Sequence, residues 1–84
     1  MRPVTVYSDE ICTLCHSVEN LLNVREIPYE KVMVREGTDA YDQLVERTGM
    51  KSLPQVFVGS MLLGGYQETL AADQAEMLAG LLVD

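Results

Sequence analysis

The chain has 84 residues, enough for one hydrophobic core and not two, so residues 1–84 read as a single domain. Apolar residues make up 48% and charged residues 23%, a balance that excludes an intrinsically disordered chain. Net charge is −7 and the six Lys and Arg are scattered, which argues against nucleic acid as a partner, because phosphate neutralisation needs clustered cations. No apolar run approaches the roughly 20 residues of a membrane-spanning helix, so no membrane partner is expected. The first residues, Met1 to Tyr7, hold neither a long apolar segment nor a small-residue cleavage site, and the expectation is a cytoplasmic chain without a secretory signal. The acidity serves solubility, or a preference for protein substrates with basic surfaces.

Val4-Thr5-Val6-Tyr7 alternates β-branched and aromatic residues and predicts a strand, with Ser8 to Ile11 as a short connection. From Cys12 onward, Leu14, Val18, Leu21 and Leu22 recur at helical spacing and predict an amphipathic helix. It should end near Arg25 or Glu26, since the residue before Pro28 is biased away from helical geometry. Tyr29 to Val34 reads as a second strand. Thr38 or Asp39 can cap a second helix with Ala40, Tyr41, Leu44 and Val45 on its apolar face, and Gly49 can stop it in the left-handed conformation. Gln55-Val56-Phe57-Val58, Gly59-Ser60 and Met61-Leu62-Leu63 predict a β-hairpin, ended by Gly64-Gly65. Thr69 to Val83, rich in Ala and Leu, reads as helical with a break near Asp73. The order predicts an α/β domain with one parallel strand pair, because a strand–helix–strand unit crosses over right-handedly.

The only two cysteines, Cys12 and Cys15, fall where the first strand gives way to the first helix. A disulfide closing so short a loop constrains the unfolded chain little, so the pair reads as chemical rather than as a staple. Residues three apart share a helix face with Cα atoms roughly 5 to 6 Å apart, which suits a disulfide. Cys12 at the helix start meets unpaired N–H groups and the positive dipole end, both of which favour a thiolate. Cys15, one turn deeper, is suited to resolve a mixed disulfide formed at Cys12. Cys12-Thr13-Leu14-Cys15-His16 also fits the c-type haem attachment pattern, but the preceding strand and the later Leu53-Pro54 and Gly64-Gly65 have no role in that account. A zinc site would need a fourth ligand, and the chain has no further Cys or His.

Val4-Thr5-Val6-Tyr7-Ser8, then Cys12-Thr13-Leu14-Cys15-His16, then Ser52-Leu53-Pro54-Gln55-Val56-Phe57-Val58, then Gly64-Gly65-Tyr66 resembles a glutaredoxin over roughly Val4 to Leu70. The resemblance implies a thioredoxin-like fold, β-α-β-α-β-β-α with a four-stranded mixed sheet. It implies glutathione-linked reduction of protein disulfides and glutathione mixed disulfides through Cys12 and Cys15, with glutathione as co-substrate, disulfide-containing or glutathionylated proteins as partners, no metal, and a monomer. It further implies that Pro54 is cis and faces the disulfide, and that the Leu53 backbone pairs with glutathione or substrate like an added strand. Gly64-Gly65 should admit close approach of the tripeptide, and Gln67 and Glu68 should hold its α-amino end. Thr13, Leu14 and Tyr66 complete the implied binding set.

The chain departs from the family pattern in three places. Asp9 stands where the family usually has Lys, and with Glu10 it opposes the thiolate that the helix start favours. Thr13-Leu14 replaces Pro-Tyr, and Gln67-Glu68 replaces a pair of acidic residues. These changes leave dithiol chemistry intact and weaken the glutathione site. Two alternatives therefore stand beside glutathione-linked reduction. One is a thioredoxin-reductase-coupled redoxin donating electrons to ribonucleotide reductase, and the other a glutathione-dependent carrier of a 2Fe–2S cluster.

Overall fold

A computed structural model describes residues 2–82. The chain runs β1 (Val4–Ser8), α1 (Thr13–Val24), β2 (Glu30–Met33), α2 (Asp39–Thr48), β3 (Gln55–Val58), β4 (Met61–Gly64), α3 (Tyr66–Gln74) and α4 (Leu78–Leu81). The four strands form one mixed sheet in the order β2-β1-β3-β4. β1 pairs in parallel with β2 and antiparallel with β3, and β3 pairs antiparallel with β4 through the Gly59-Ser60 turn. This is the α/β thioredoxin-like architecture expected, with the last helix divided in two. None of the described helices is long and apolar enough to cross a membrane.

The alternation of β1 sorts its side chains between two cores. Val4 and Val6 pack with Val18 and Leu22 of α1, Val56 and Val58 of β3, and Leu78 and Leu82. On the opposite face Phe57 packs with Val34 and Leu44, with Tyr7 against them. The Tyr7 and Phe57 rings form a T-shaped pair with centroids 5.5 Å apart, and the Arg47 guanidinium lies 4.7 Å over the Phe57 ring. β3, covered on both faces, is buried at every position, which explains its continuous rather than alternating apolar run.

The buried stripe of α1 is Cys15, Val18 and Leu22. Leu14, expected on that stripe, is 49% exposed. The correction is geometric: a helix entering from the end of β1 turns Cys15 inward, and a cysteine packs there as a small apolar side chain. α2 begins at Thr38, whose Oγ1 accepts from the Tyr41 N–H at 3.3 Å, and ends at Gly49 with φ 75°.

α3 starts at Tyr66, not Thr69, because Gly65 serves as its N-cap and the Glu68 carboxylate reaches back to accept from the Gly65 N–H at 2.8 Å. Its break falls close to Asp73, at 75–77: Glu76, at φ 58°, lets the Glu76 N–H donate to Asp73 O at 3.0 Å and the Met77 N–H to Ala72 O at 2.8 Å. α1 closes the same way, with Glu26 at φ 57° and the Ile27 N–H donating to Leu22 O at 2.9 Å. The expected helical extension to Val83 lies outside the described residues. At its far end α1 is clipped to α3 by Arg25, which donates to both Asp73 oxygens at 2.8 and 3.0 Å. That hydrogen bond and the Asp73 charge raise the Arg25 guanidinium above its ordinary value.

The two leucines of α1 should separate cleanly in urea denaturation of the oxidised protein. Leu22→Ala, at a site 1% exposed, is expected to lower stability by about 2–5 kcal/mol. Leu14→Ala should change it by no more than about 0.5 kcal/mol.

Candidate active site

β1 ends at Ser8, and residues 9–12 swing the chain into α1 with the Cys12 N–H donating to Asp9 O at 3.2 Å. Cys12 is extended, at φ −92° and ψ 108°, and occupies the N-cap. Its sulfur accepts a hydrogen bond from the Cys15 N–H at 3.1 Å, the task that a Ser or Asp oxygen performs at most helix starts. Cys12 and Cys15 are joined as a disulfide with Cα atoms 5.3 Å apart. Cys12 is half-buried, whereas Cys15 is 1% exposed.

A second segment faces the disulfide. The Leu53–Pro54 peptide is cis, and the Leu53 carbonyl oxygen lies 3.5 Å from the Cys12 sulfur. Gln55 fixes the approach to it: fully buried, its Nε2 donates to Met50 O at 2.9 Å and Ser52 O at 3.2 Å. The Tyr41 hydroxyl donates to Lys51 O and ties the same loop to α2.

Beside the disulfide lies a groove of about 200 Å³ lined by Leu14, Leu53, Pro54, Gly65, Tyr66, Gln67 and Glu68, and also by Met50 and Ser52. Seven of the sequence-predicted site residues thus share one concavity. Thr13 is exposed and does not line it. Gln67 and Glu68, expected to follow a turn, stand in the first turn of α3, and the Glu68 carboxylate is occupied with Gly65. Met50 and Ser52 were not anticipated; the signal for them is their place just ahead of Leu53-Pro54. Gly64, at φ 130°, closes β4 where a Cβ would fall 2.7 Å from the Glu68 Cβ, so only glycine fits.

The electrostatics of the site are sparse. No Lys or Arg lines the groove, and its one charged side chain is Glu68. Glu10 leans towards Arg35 at 3.9 Å, both well exposed, a contact that solvent screens heavily. What favours charge on the Cys12 sulfur is therefore main-chain: the Cys15 N–H and the start of a 12-residue helix.

The glutaredoxin family model matches residues 4–63. Glutaredoxin 3 of Escherichia coli strain K12 is 26% identical over 82 residues, covering 98% of this chain and 99% of the relative. The glutaredoxin of Vernicia fordii is 32% identical over 84 residues, covering 96% and 81%. The crystal structure of the holo form of glutaredoxin C1 from Populus tremula x tremuloides matches with a TM-score of 0.87 at 30% identity, covering 96% of this chain and 83% of that one.

Gly64→Ala tests the wall of the groove. The added methyl collides with the stem of Glu68 and strains a backbone only glycine adopts, so a loss of about 1–3 kcal/mol is expected in thermal unfolding. Gly37→Ala, also at positive φ but with open space around it, should cost less than Gly64→Ala.

Proposed function

The chain belongs to the glutaredoxin family, and from that premise we propose that it reduces protein disulfides and glutathione mixed disulfides through Cys12 and Cys15, with glutathione as its reductant. Membership makes it a thiol–disulfide oxidoreductase. The observation that carries the finer reading is the asymmetry of the two sulfurs, one half-buried at a helix start and the other sealed one turn below.

In the reduced protein the Cys12 thiolate attacks one sulfur of a substrate disulfide. A bond forms between Cys12 and that sulfur, the substrate S–S bond breaks, and the departing thiolate takes a proton from water. Cys15 releases its proton to solvent and attacks the Cys12 sulfur. The Cys12–Cys15 disulfide forms, the bond to substrate breaks, and the second substrate sulfur leaves. Two electrons have passed to the substrate. Two glutathione thiols return them: the first forms a mixed disulfide at Cys12 and frees Cys15, and the second leaves with the first as oxidised glutathione. The groove supports this reading. The Leu53 carbonyl beside Cys12 offers main-chain pairing to a tripeptide, and Gly65 offers close approach on the facing wall.

One observation favours a second reductant. Glutathione carries two carboxylates, and the groove has no Lys or Arg lining to pair with them. A flavin-dependent thioredoxin reductase acting directly on the disulfide needs no such site.

Cys12→Ser should reduce hydroxyethyl-disulfide turnover to background, and retained activity would remove Cys12 as the attacking thiol. Cys15→Ser should keep measurable deglutathionylation while losing dithiol reduction of proteins. Turnover with glutathione and glutathione reductase is expected to exceed turnover with thioredoxin reductase; the reverse order replaces glutathione as the donor.

A further inference from the structure

Among the described residues, three buried side-chain atoms lack a hydrogen-bond partner: Ser8 Oγ, Glu19 Oε2 and Gln55 Oε1. Glu19 and Gln55 are each engaged through their other polar atom, Glu19 with Lys31 at 3.1 Å and Gln55 with the 50–52 backbone. Ser8 has no other side-chain polar atom. It is 0% exposed, and its carbonyl accepts from the Val34 N–H at 2.8 Å. A buried hydroxyl without a partner is costly to keep where an alanine would fit.

Its place in the fold supplies a reason. β1 alternates, so Val4, Val6 and Ser8 share one face, and the first two pack under Val18 and Leu22. α1 follows β1 through a short turn and runs back over it. Its inward residues Leu22, Val18 and Cys15 therefore cover the strand in reverse order, which brings Cys15 over the Ser8 end. With the disulfide closed, the Cys15 sulfur is bonded to Cys12, a neutral and weak acceptor, and it makes no hydrogen bond with the Ser8 hydroxyl.

We infer that the Ser8 hydroxyl is a positioning group for the resolving thiol, left without a partner in the oxidised protein and hydrogen-bonded to the Cys15 sulfur once the disulfide opens. The hydroxyl donates to that sulfur as it becomes a thiolate and exchanges no proton with it; the proton of Cys15 goes to solvent, and the electron pair goes into the new bond to Cys12. Ser8 thereby favours the reduced state and aligns the resolving step. The inference rests on Cys15 as the resolving thiol but on no particular reductant.

The test is thermal unfolding of the oxidised and the fully reduced protein, without substrate, so that its outcome is separate from the identity of the electron donor. Ser8→Ala should leave the oxidised protein as stable as before or more so, and lower the Tm of the reduced protein by on the order of 4 °C, widening the gap between the two forms. Ser8→Thr keeps a hydroxyl, and any overpacking by its methyl affects both forms, so the gap should stay at the wild-type value. Single-turnover release of a protein substrate from its Cys12 mixed disulfide should slow about tenfold in Ser8→Ala. A gap that Ser8→Ala leaves unchanged or narrows, as a hydroxyl satisfied equally in both states would give, overturns the inference. So does a gap that Ser8→Thr widens as much as Ser8→Ala.

Discussion

Where β1 hands over to α1, the chain faces a general difficulty: the first N–H groups of a helix have no carbonyl below them to bind. Here one of them, from Cys15, is taken by the Cys12 sulfur at 3.1 Å. The atom that closes the helix is thus also the atom that reacts. Negative charge on it strengthens the cap, since an ionised acceptor binds an N–H more tightly than a neutral one. The local stability of the turn and the reactivity of the sulfur rise together. That compensates for a surface that supplies little help, with Asp9 and Glu10 just ahead of Cys12 and no cation in the groove.

The facing wall is held with comparable economy. Gln55 opens β3 fully buried and spends both amide hydrogens on the loop it follows, so the cis Leu53–Pro54 segment is presented from an anchored strand end. The third wall, at Gly65 and Tyr66, is the start of α3, closed on itself by Glu68. The groove therefore draws on three chain segments, each positioned by a different polar contact, and the Leu53 carbonyl is the part of its lining that meets the Cys12 sulfur.

Much of this was legible because the deciding residue is local. Thr38 and Gly49 announce the two ends of α2, Gly59-Ser60 the hairpin, and Cys12 with Cys15 the reactive turn. Where the structure departs from the sequence pattern, backbone bonding or tertiary packing decides. The end of α1 near Arg25 is legible from Pro28, but the residues at positive φ that close α1 and α3 are Glu26 and Glu76, where glycine is the usual signal, so the closing backbone bonds themselves are advertised by no residue type. The start of α3 is masked because Gly64-Gly65 reads as a turn, while Gly65 is already the cap. Periodicity alone points Leu14 to the core. The exit direction of β1, a tertiary fact, turned it outward to the groove.

The clip between Arg25 and Asp73 sits as far from the sulfurs as α1 and α3 allow. Both helices begin at the groove and finish at that ion pair, so they run side by side like the arms of tongs with the pivot at the closed end. The join fixes the two helices to each other at the end opposite the one that lines the groove. Exposed on the Arg25 side, the pair is weakened as dissolved salt screens it, so this join between the helices depends on ionic strength while the nearly uncharged groove lining does not.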